Sequence, residues 1–248
     1  PTLQGASMAL VIPVKIKAVS IPAFNPHKIS VSGLSPIIII FFLGKSGCGK
    51  DTQAEFLIGE RGFDVINSGL ILRSLRDILP KFKNGSIERY EITAILNTIN
   101  AGLFVPTLPL ACKWLYPLLE IVRKHKKTNG IVFTGSPRKL AEAYLLHDFF
   151  VNWPDAKKYF QIYPLEIKIS DKEAFKRLST RRLCEKCGKI FSASLAHSAL
   201  KVCDTCGGKL IRRKDDSKLG IASRLCEYEE YVMPVLNYFK KEKIFSLF

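Results

Sequence analysis

Gly44-Lys45-Ser46-Gly47-Cys48-Gly49-Lys50-Asp51-Thr52-Gln53 follows an apolar run, Ile37 to Leu43, and precedes a stretch with Ala54, Phe56, Leu57 and Ile58 as its apolar side. The run reads as a buried strand and the stretch as a helix. A strand, a glycine-rich turn and a helix N-terminus make a phosphate cradle. Glycines let backbone N–H groups converge on phosphate oxygens, the helix dipole favours the anion, and Lys50 adds a mobile positive charge. The bland alternative is a glycine turn with a stray lysine; the flanking strand and helix and the full glycine spacing argue against it.

The rest of the chain continues the alternation. Val65-Ile66 is a short apolar pair, and Asn67-Ser68-Gly69 reads as a helix N-cap leading into Leu70 to Leu79, with Pro80 as the stop. Ile87 to Ala101, capped by Gly102, and Leu115 to Arg123 carry helical patterns, and Gly130 to Thr134 reads as a strand. Pro137-Arg138 is expected to open the next helix, Leu165 to Ile169 to form a strand, and Lys172 to Leu183 a helix. Leu219 to Phe239 reads as one long closing helix, and Ile244 to Phe248 as a last strand. Such alternation predicts an α/β fold with a parallel sheet covered on both faces. Residues 9–36 carry several prolines and no acid, and read as extended chain.

No apolar run approaches the roughly 20 residues of a membrane span. No charged-then-apolar leader opens the chain, and residues 1–7 are compatible with an expression remnant ahead of Met8. A protein that works without a membrane, in the cytoplasm and as a monomer, is expected.

The net charge of +16 is uneven. Between Lys176 and Lys214 eleven basic residues face only two acids, Glu185 and Asp204, a surplus of nine. Such a block suits a solvated surface, a nucleic-acid patch or a clamp for nucleotide phosphates. Within it lie Cys184-x2-Cys187 and Cys203-x2-Cys206, fifteen residues apart. That spacing matches a structural Zn²⁺ site, two tight turns each presenting two thiolates to one tetrahedral ion. Two disulfides are the alternative, which the missing leader and the thiol of Cys48 inside the phosphate loop oppose. Four thiolates on one Zn²⁺ carry a net charge of about −2, which reduces the local surplus to about seven. Cys48, Cys112 and Cys226 read as free thiols, Cys226 as a small apolar residue on a helix.

Together these segments resemble the adenylate kinases, in the long form whose lid carries zinc. The resemblance runs from about Ile37 to Phe239. The family loop GxxGxGKGT is matched by Gly44 to Thr52, with Asp51 in place of a glycine. Asn67-Ser68-Gly69-Leu70-Ile71-Leu72-Arg73 is similar to the family's acceptor-nucleotide segment, and Thr134-Gly135-Ser136-Pro137-Arg138 to its Asp-Gly-Phe-Pro-Arg segment. Arg177, Arg181 and Arg182 match the lid entry; Arg213, Asp215, Asp216, Arg224, Leu225 and Tyr228 match its exit.

The resemblance implies a P-loop three-layer α/β/α core formed by 37–66, 124–176 and 215–248. It also implies a helical nucleoside monophosphate (NMP)-binding insert at 67–123 and a small zinc-knuckle lid at 177–214, behind an extension at 1–36. The implied reaction is phosphoryl transfer from Mg·ATP to an NMP, most simply AMP. Such chemistry needs charge neutralisation, in-line positioning and exclusion of water, because the two nucleotides bring about six negative charges. By resemblance, ATP lies against Gly44, Ser46, Gly47, Cys48, Gly49, Lys50, Asp51 and Thr52, with Arg177 near the donor base. Ser68, Gly69, Arg73, Val105, Gly135, Arg138 and Glu142 form the acceptor site. Lys50, Arg138, Arg181, Arg213 and Arg224 are the implied catalytic groups, suited by bidentate guanidinium contacts.

Departures from the family bear on activity more than on fold. Thr134 stands where the family has an aspartate that helps place Mg²⁺ through water, and Leu70 replaces another aspartate. Asp51 puts a carboxylate beside the phosphate loop, and little sequence follows Phe239 to enclose the donor adenine. Glu142 replaces a glutamine that reads adenine. An ionised carboxylate only accepts, so it suits the two donors on guanine better than adenine N1; the alternative is a Glu142 that points to solvent beside Lys139. Two other readings stand beside AMP kinase: a kinase for GMP, CMP or UMP, and a degenerate kinase-like scaffold whose basic lid binds RNA. The lid offers little aromatic interleaving for base stacking, Phe191 alone within the knuckle, so nucleic acid is not the expected partner.

Overall fold

A computed structural model of the chain describes residues 36–101, 103–123, 128–152, 156–191, 200–213 and 216–242. The extension ahead of Pro36, Gly102, Asp215 and the expected strand at Ile244 to Phe248 lie outside the described residues.

Among the described residues the core is a four-stranded parallel sheet in the order β2-β3-β1-β4, formed by β1 (Ile37–Leu43), β2 (Phe63–Asn67), β3 (Gly130–Thr134) and β4 (Phe160–Glu166). β1 and β3 are central, and β1 and β3 as far as Phe133 read as apolar runs because each face is covered. On one face Ile40, Phe42 and Val132 pack with Ala54 of α1 (Lys50–Arg61) and with Cys48. On the other, Phe41 and Phe133 pack with Phe150, Trp114 and Phe239. Those aromatic residues come from α4 (Thr107–Arg123), α5 (Leu140–Val151) and the C-terminal helix α9 (Met233–Lys241). The result is three layers, helix, sheet and helix.

Between β2 and β3 the chain makes α2 (Ser68–Ile78), α3 (Ile87–Asn100) and α4. Asn67 caps α2 as the sequence suggests, its side chain accepting from the Leu70 N–H at 2.9 Å. Pro80 lies in a 3₁₀ turn, Leu79–Lys81, that ends this helix. α4 begins two turns before the expected Leu115 and runs through Pro117. Burial of Leu110, Ala111 and Trp114 outweighs the lost helical hydrogen bond at the proline.

Four further boundaries differ from the sequence expectation. β4 starts at Phe160, not Leu165, and includes Pro164. It pairs only with β1 among the described residues, and such an edge tolerates a residue with no N–H. Helix α5 starts at Leu140 rather than at Pro137-Arg138, which stay in the loop. Helix α7 (Asp171–Thr180), which follows the one-turn α6 (Ala156–Tyr159), stops before Leu183. Leu183 belongs instead to β5 (Arg182–Cys184). The closing helix is two helices, α8 (Lys218–Glu227) and α9, joined by a π turn at Tyr228–Val232. Beyond α7, β5 pairs antiparallel with β6 (Ile190–Phe191) and β7 (Leu210–Ile211) to form a separate small sheet that carries the cysteines.

Candidate active site

The C-terminal ends of the parallel strands open onto a cleft, where α/β sheets bind ligands. Gly44, Ser46 and Lys50 line one side, Gly135 to Arg138 another, and Arg224, Glu227, Tyr228 and Val232 the rim, with Phe104 from the segment between α3 and α4. The loop between β1 and α1 needs glycine at Gly44, whose φ is +140° and whose added Cβ would lie 2.4 Å from the Ile167 carbonyl oxygen. Lys50 Nζ donates to the carbonyls of Gly44 at 2.8 Å and Lys45 at 2.9 Å, so the charge sits over the loop mouth. Asp51, in the first turn of α1, accepts from Asn67 Nδ2 at 3.0 Å.

The loops that follow β2 and β3 converge through short contacts. Ser68 and Ser136, both buried, are linked by a 2.7 Å hydrogen bond from Ser68 Oγ. A Cβ on Gly69 would meet the Arg73 guanidinium at 3.1 Å, and one on Gly135 would meet that of Arg138 at 3.3 Å. Arg138 lies over the Phe104 ring, 5.4 Å from its centroid, and Phe104 meets Tyr231 edge-on at 5.4 Å. Lys139 Nζ donates to the Val105 carbonyl at 3.1 Å and fixes this loop to the core. Phe104 and Glu227 are site residues that the sequence reading passed over. Phe104 was hidden in a greasy stretch, and Glu227 stands directly before the motif residue Tyr228.

Glu142 is 1% exposed, so the solvent-facing alternative fails. Its Oε2 accepts from the Arg138 N–H at 3.0 Å. Burial pushes its carboxyl above the usual range, opposed by the hydrogen bonds from the Arg138 backbone and Ser136 and by the charges of Arg138 and Lys139. Glu142 braces the Ser136–Arg138 loop from behind the cleft wall.

Arg177, Arg181 and Arg213 do not line the cleft. Arg177 Nε is held by Glu173 Oε1 at 2.7 Å along α7. Arg181 binds Asp216 through two nitrogens, at 2.9 and 2.7 Å, and Arg224 Nη2 binds the same carboxylate at 2.6 Å. Burial alone would raise the Asp216 pKa, but the two guanidiniums hold it below the usual range. Arg213 follows β7, and its carbonyl accepts from the Asp216 N–H at 3.1 Å. Thr134 is buried at the end of β3, and its Oγ1 has no partner among the described residues.

Cys184, Cys187, Cys203 and Cys206 bring their sulfurs within 4.8 Å of one another. The sulfurs of Cys184 and Cys206 are 3.4 Å apart and those of Cys187 and Cys203 3.6 Å, too long for disulfides and near the edge of a tetrahedron of Zn–S bonds of about 2.3 Å. The Cys187 N–H donates to Cys184 Sγ and the Thr205 N–H to Cys203 Sγ, each at 3.4 Å, as tight turns that present thiolates require. The donor set fits Zn²⁺.

Residues 181–215, which contain all four cysteines, match the family model described as adenylate kinase, active site lid. The chain is 31% identical over 204 residues to an adenylate kinase of Chlamydia caviae, an alignment spanning 82% of this chain and 86% of that protein. It is 30% identical over 202 residues to an adenylate kinase of Chlamydia pneumoniae, spanning 81% and 84%. The chain belongs to the adenylate kinase family. A third relative, an adenylate kinase of Caldicellulosiruptor saccharolyticus, is 28% identical over 208 residues, spanning 82% of this chain and 87% of that protein. This adenylate kinase family member is therefore a nucleoside monophosphate kinase with the P-loop α/β fold. Among its described residues no helix is long and apolar enough to cross a membrane.

Proposed function

We propose that this chain catalyses reversible transfer of the γ-phosphoryl group of ATP to AMP, giving two ADP, in the cytoplasm. The observation that carries the reading is the convergence on one cleft of the phosphate-loop lysine Lys50, the acceptor-side Arg138 and the lid-side Arg224. Three cations from three separate segments suit a group that carries charge on several oxygens at once.

In this reading Lys50 leaves its carbonyl acceptors and moves onto the donor's β- and γ-phosphates. Arg73 and Arg138 hold the acceptor phosphate, and departure of Arg138 from the Phe104 ring exposes that ring to the acceptor. Arg181 and Arg224, joined on Asp216, approach as a unit; Arg213, adjoining Asp216 through the backbone, moves with them. A guanidinium pair held on a buried carboxylate is pre-oriented, so less reorganisation accompanies closure. Mg²⁺ bound with ATP would neutralise charge on the β- and γ-phosphates. Zn²⁺ held by the four cysteines would give the small sheet its fold, since so few residues bury little apolar surface.

A coupled assay of ATP against AMP, GMP, CMP and UMP tests the reading, with the highest kcat/KM expected for AMP. Higher kcat/KM for another monophosphate would reassign the acceptor. No turnover on any of the four, with tight salt-dependent RNA binding, would replace the enzyme by a nucleic-acid-binding scaffold.

A further inference from the structure

Strand residues alternate between the two faces of a sheet. Val132 packs on the α1 face with Cys48 and Ala54, and Phe133 on the opposite face with Trp114 and Phe150. Thr134 therefore returns to the α1 face. In β2, Ile66 belongs to the opposite core, so Asn67 shares the α1 face, and the ladder registers Asn67 directly beside Thr134. Two polar side chains thus stand side by side at the strand ends on the face that α1 covers, and Asn67 reaches Asp51 in the first turn of that helix.

Each has a defined state. Thr134 is 1% exposed, and its hydroxyl has no partner among the described residues. Asn67 is oriented by its capping role: its Oδ1 accepts from Leu70 N at 2.9 Å, so its amide nitrogen is the group that faces Asp51 Oδ1 at 3.0 Å. A carboxylate beside a phosphate loop opposes the anion that the loop attracts. Here it is held in place by a dedicated donor, Asn67, whose ladder neighbour Thr134 carries a buried hydroxyl with no partner among the described residues. That combination suits a hydrated divalent cation. Mg²⁺ keeps several waters and takes one or two carboxylates together with substrate phosphates. A threonine hydroxyl can bond one of those waters, but it supplies no charge.

We propose that Asp51, positioned by Asn67 and with the Thr134 hydroxyl one strand away, is the carboxylate that orients the hydrated divalent cation of the bound nucleotide. The charge on the metal side is thereby carried by the phosphate-loop helix instead of by the end of β3. This rests on the nucleotide-kinase reading above.

The test is the metal-dependence of nucleotide affinity in the full chain. Calorimetry gives the dissociation constant of a non-hydrolysable ATP analogue in excess Mg²⁺ and in EDTA. Electron paramagnetic resonance of Mn²⁺ with the same analogue reports the metal directly. Wild type should bind more tightly with Mg²⁺. Asp51→Asn, which keeps an oxygen for Asn67, should lose about tenfold or more of that metal-linked gain, the size expected when a group orienting a metal's shell is removed. Its affinity in EDTA should hold or rise, and the Mn²⁺ signal should change. Asp51→Asn combined with Thr134→Asp should recover much of the gain. An unchanged metal response in Asp51→Asn, with nucleotide bound normally in EDTA, would overturn this assignment alone. A parallel loss of affinity in EDTA would also overturn it, by making Asp51 a structural residue. A wild type that binds no nucleotide under either condition would overturn the assignment together with the kinase reading.

Discussion

Arg224 Nη2 lies 2.6 Å from Asp216 Oδ1, on the same carboxylate that Arg181 grips with two nitrogens. Arg181 and Arg224 are separated by the whole cysteine-bearing sheet in sequence, and the buried anion makes them neighbours. Asp216→Asn should destabilise the protein by about 3 kcal/mol, near the low end for breaking a buried pair because both guanidiniums keep some contact with water. The Asp216 pKa is lowered in the folded state, so its stabilisation is present above the unfolded value of 3.8 and fades as pH falls through the folded value. Urea denaturation should therefore show a clear difference between variant and wild type at neutral pH that shrinks below about pH 4. A difference independent of pH would show that charge is not what Asp216 contributes.

One Zn²⁺ per chain is expected by elemental analysis. Strong chelators should lower the melting temperature, because thiolate ligation contributes folding free energy directly. Cys203→Ser should behave like the chelated wild type. Absence of zinc from protein purified with zinc in the medium, or disulfides among these four cysteines by mass mapping, would refute the site.

Lys50→Ala and Arg138→Ala should each lower turnover by orders of magnitude, roughly 10³-fold on the scale of a lost charge at a transferring phosphoryl group. The melting temperature should change little for Lys50→Ala, since its partners, the Gly44 and Lys45 carbonyls and the Cys48 sulfur, all belong to the one loop. Steady-state kinetics with matched circular dichroism would check this. Near-normal turnover in a folded variant would remove the residue from the catalytic set.

Glu142→Gln should raise stability increasingly as pH rises above about 4.5. The Glu142 pKa is raised in the fold, first by burial, so above the unfolded value of 4.5 ionisation favours the unfolded chain until the folded group also titrates. An amide keeps an acceptor for the Arg138 N–H and carries no charge. Melting curves across pH 4 to 8 provide the check. The ratio of kcat/KM for AMP over GMP should stay the same, as expected of a side chain spent behind the cleft wall; a shift of about tenfold towards AMP would restore Glu142 as a reader of the base.

The phosphate loop and the cysteine knuckles were legible in the sequence because each is local. Gly44 to Thr52 and the two Cys-x2-Cys turns place their groups within a few residues, so spacing alone fixes which backbone N–H groups and thiolates converge. Strand–helix alternation was legible for a similar reason, since β1 and β3 as far as Phe133 are apolar runs. The remaining features depended on what lies across the fold. Pro164 is allowed in β4 because that strand is an edge among the described residues, and α4 persists through Pro117 because its apolar face is buried. Glu142 turned inward to a backbone N–H, Asp216 collected two arginines, and Asn67, in register beside Thr134, took Asp51 as its partner. A sequence states which groups a residue carries. Which partner a charge or hydroxyl finds, and whether water can reach it, is decided only when distant segments pack, because burial and hydrogen-bond geometry are properties of the assembled chain.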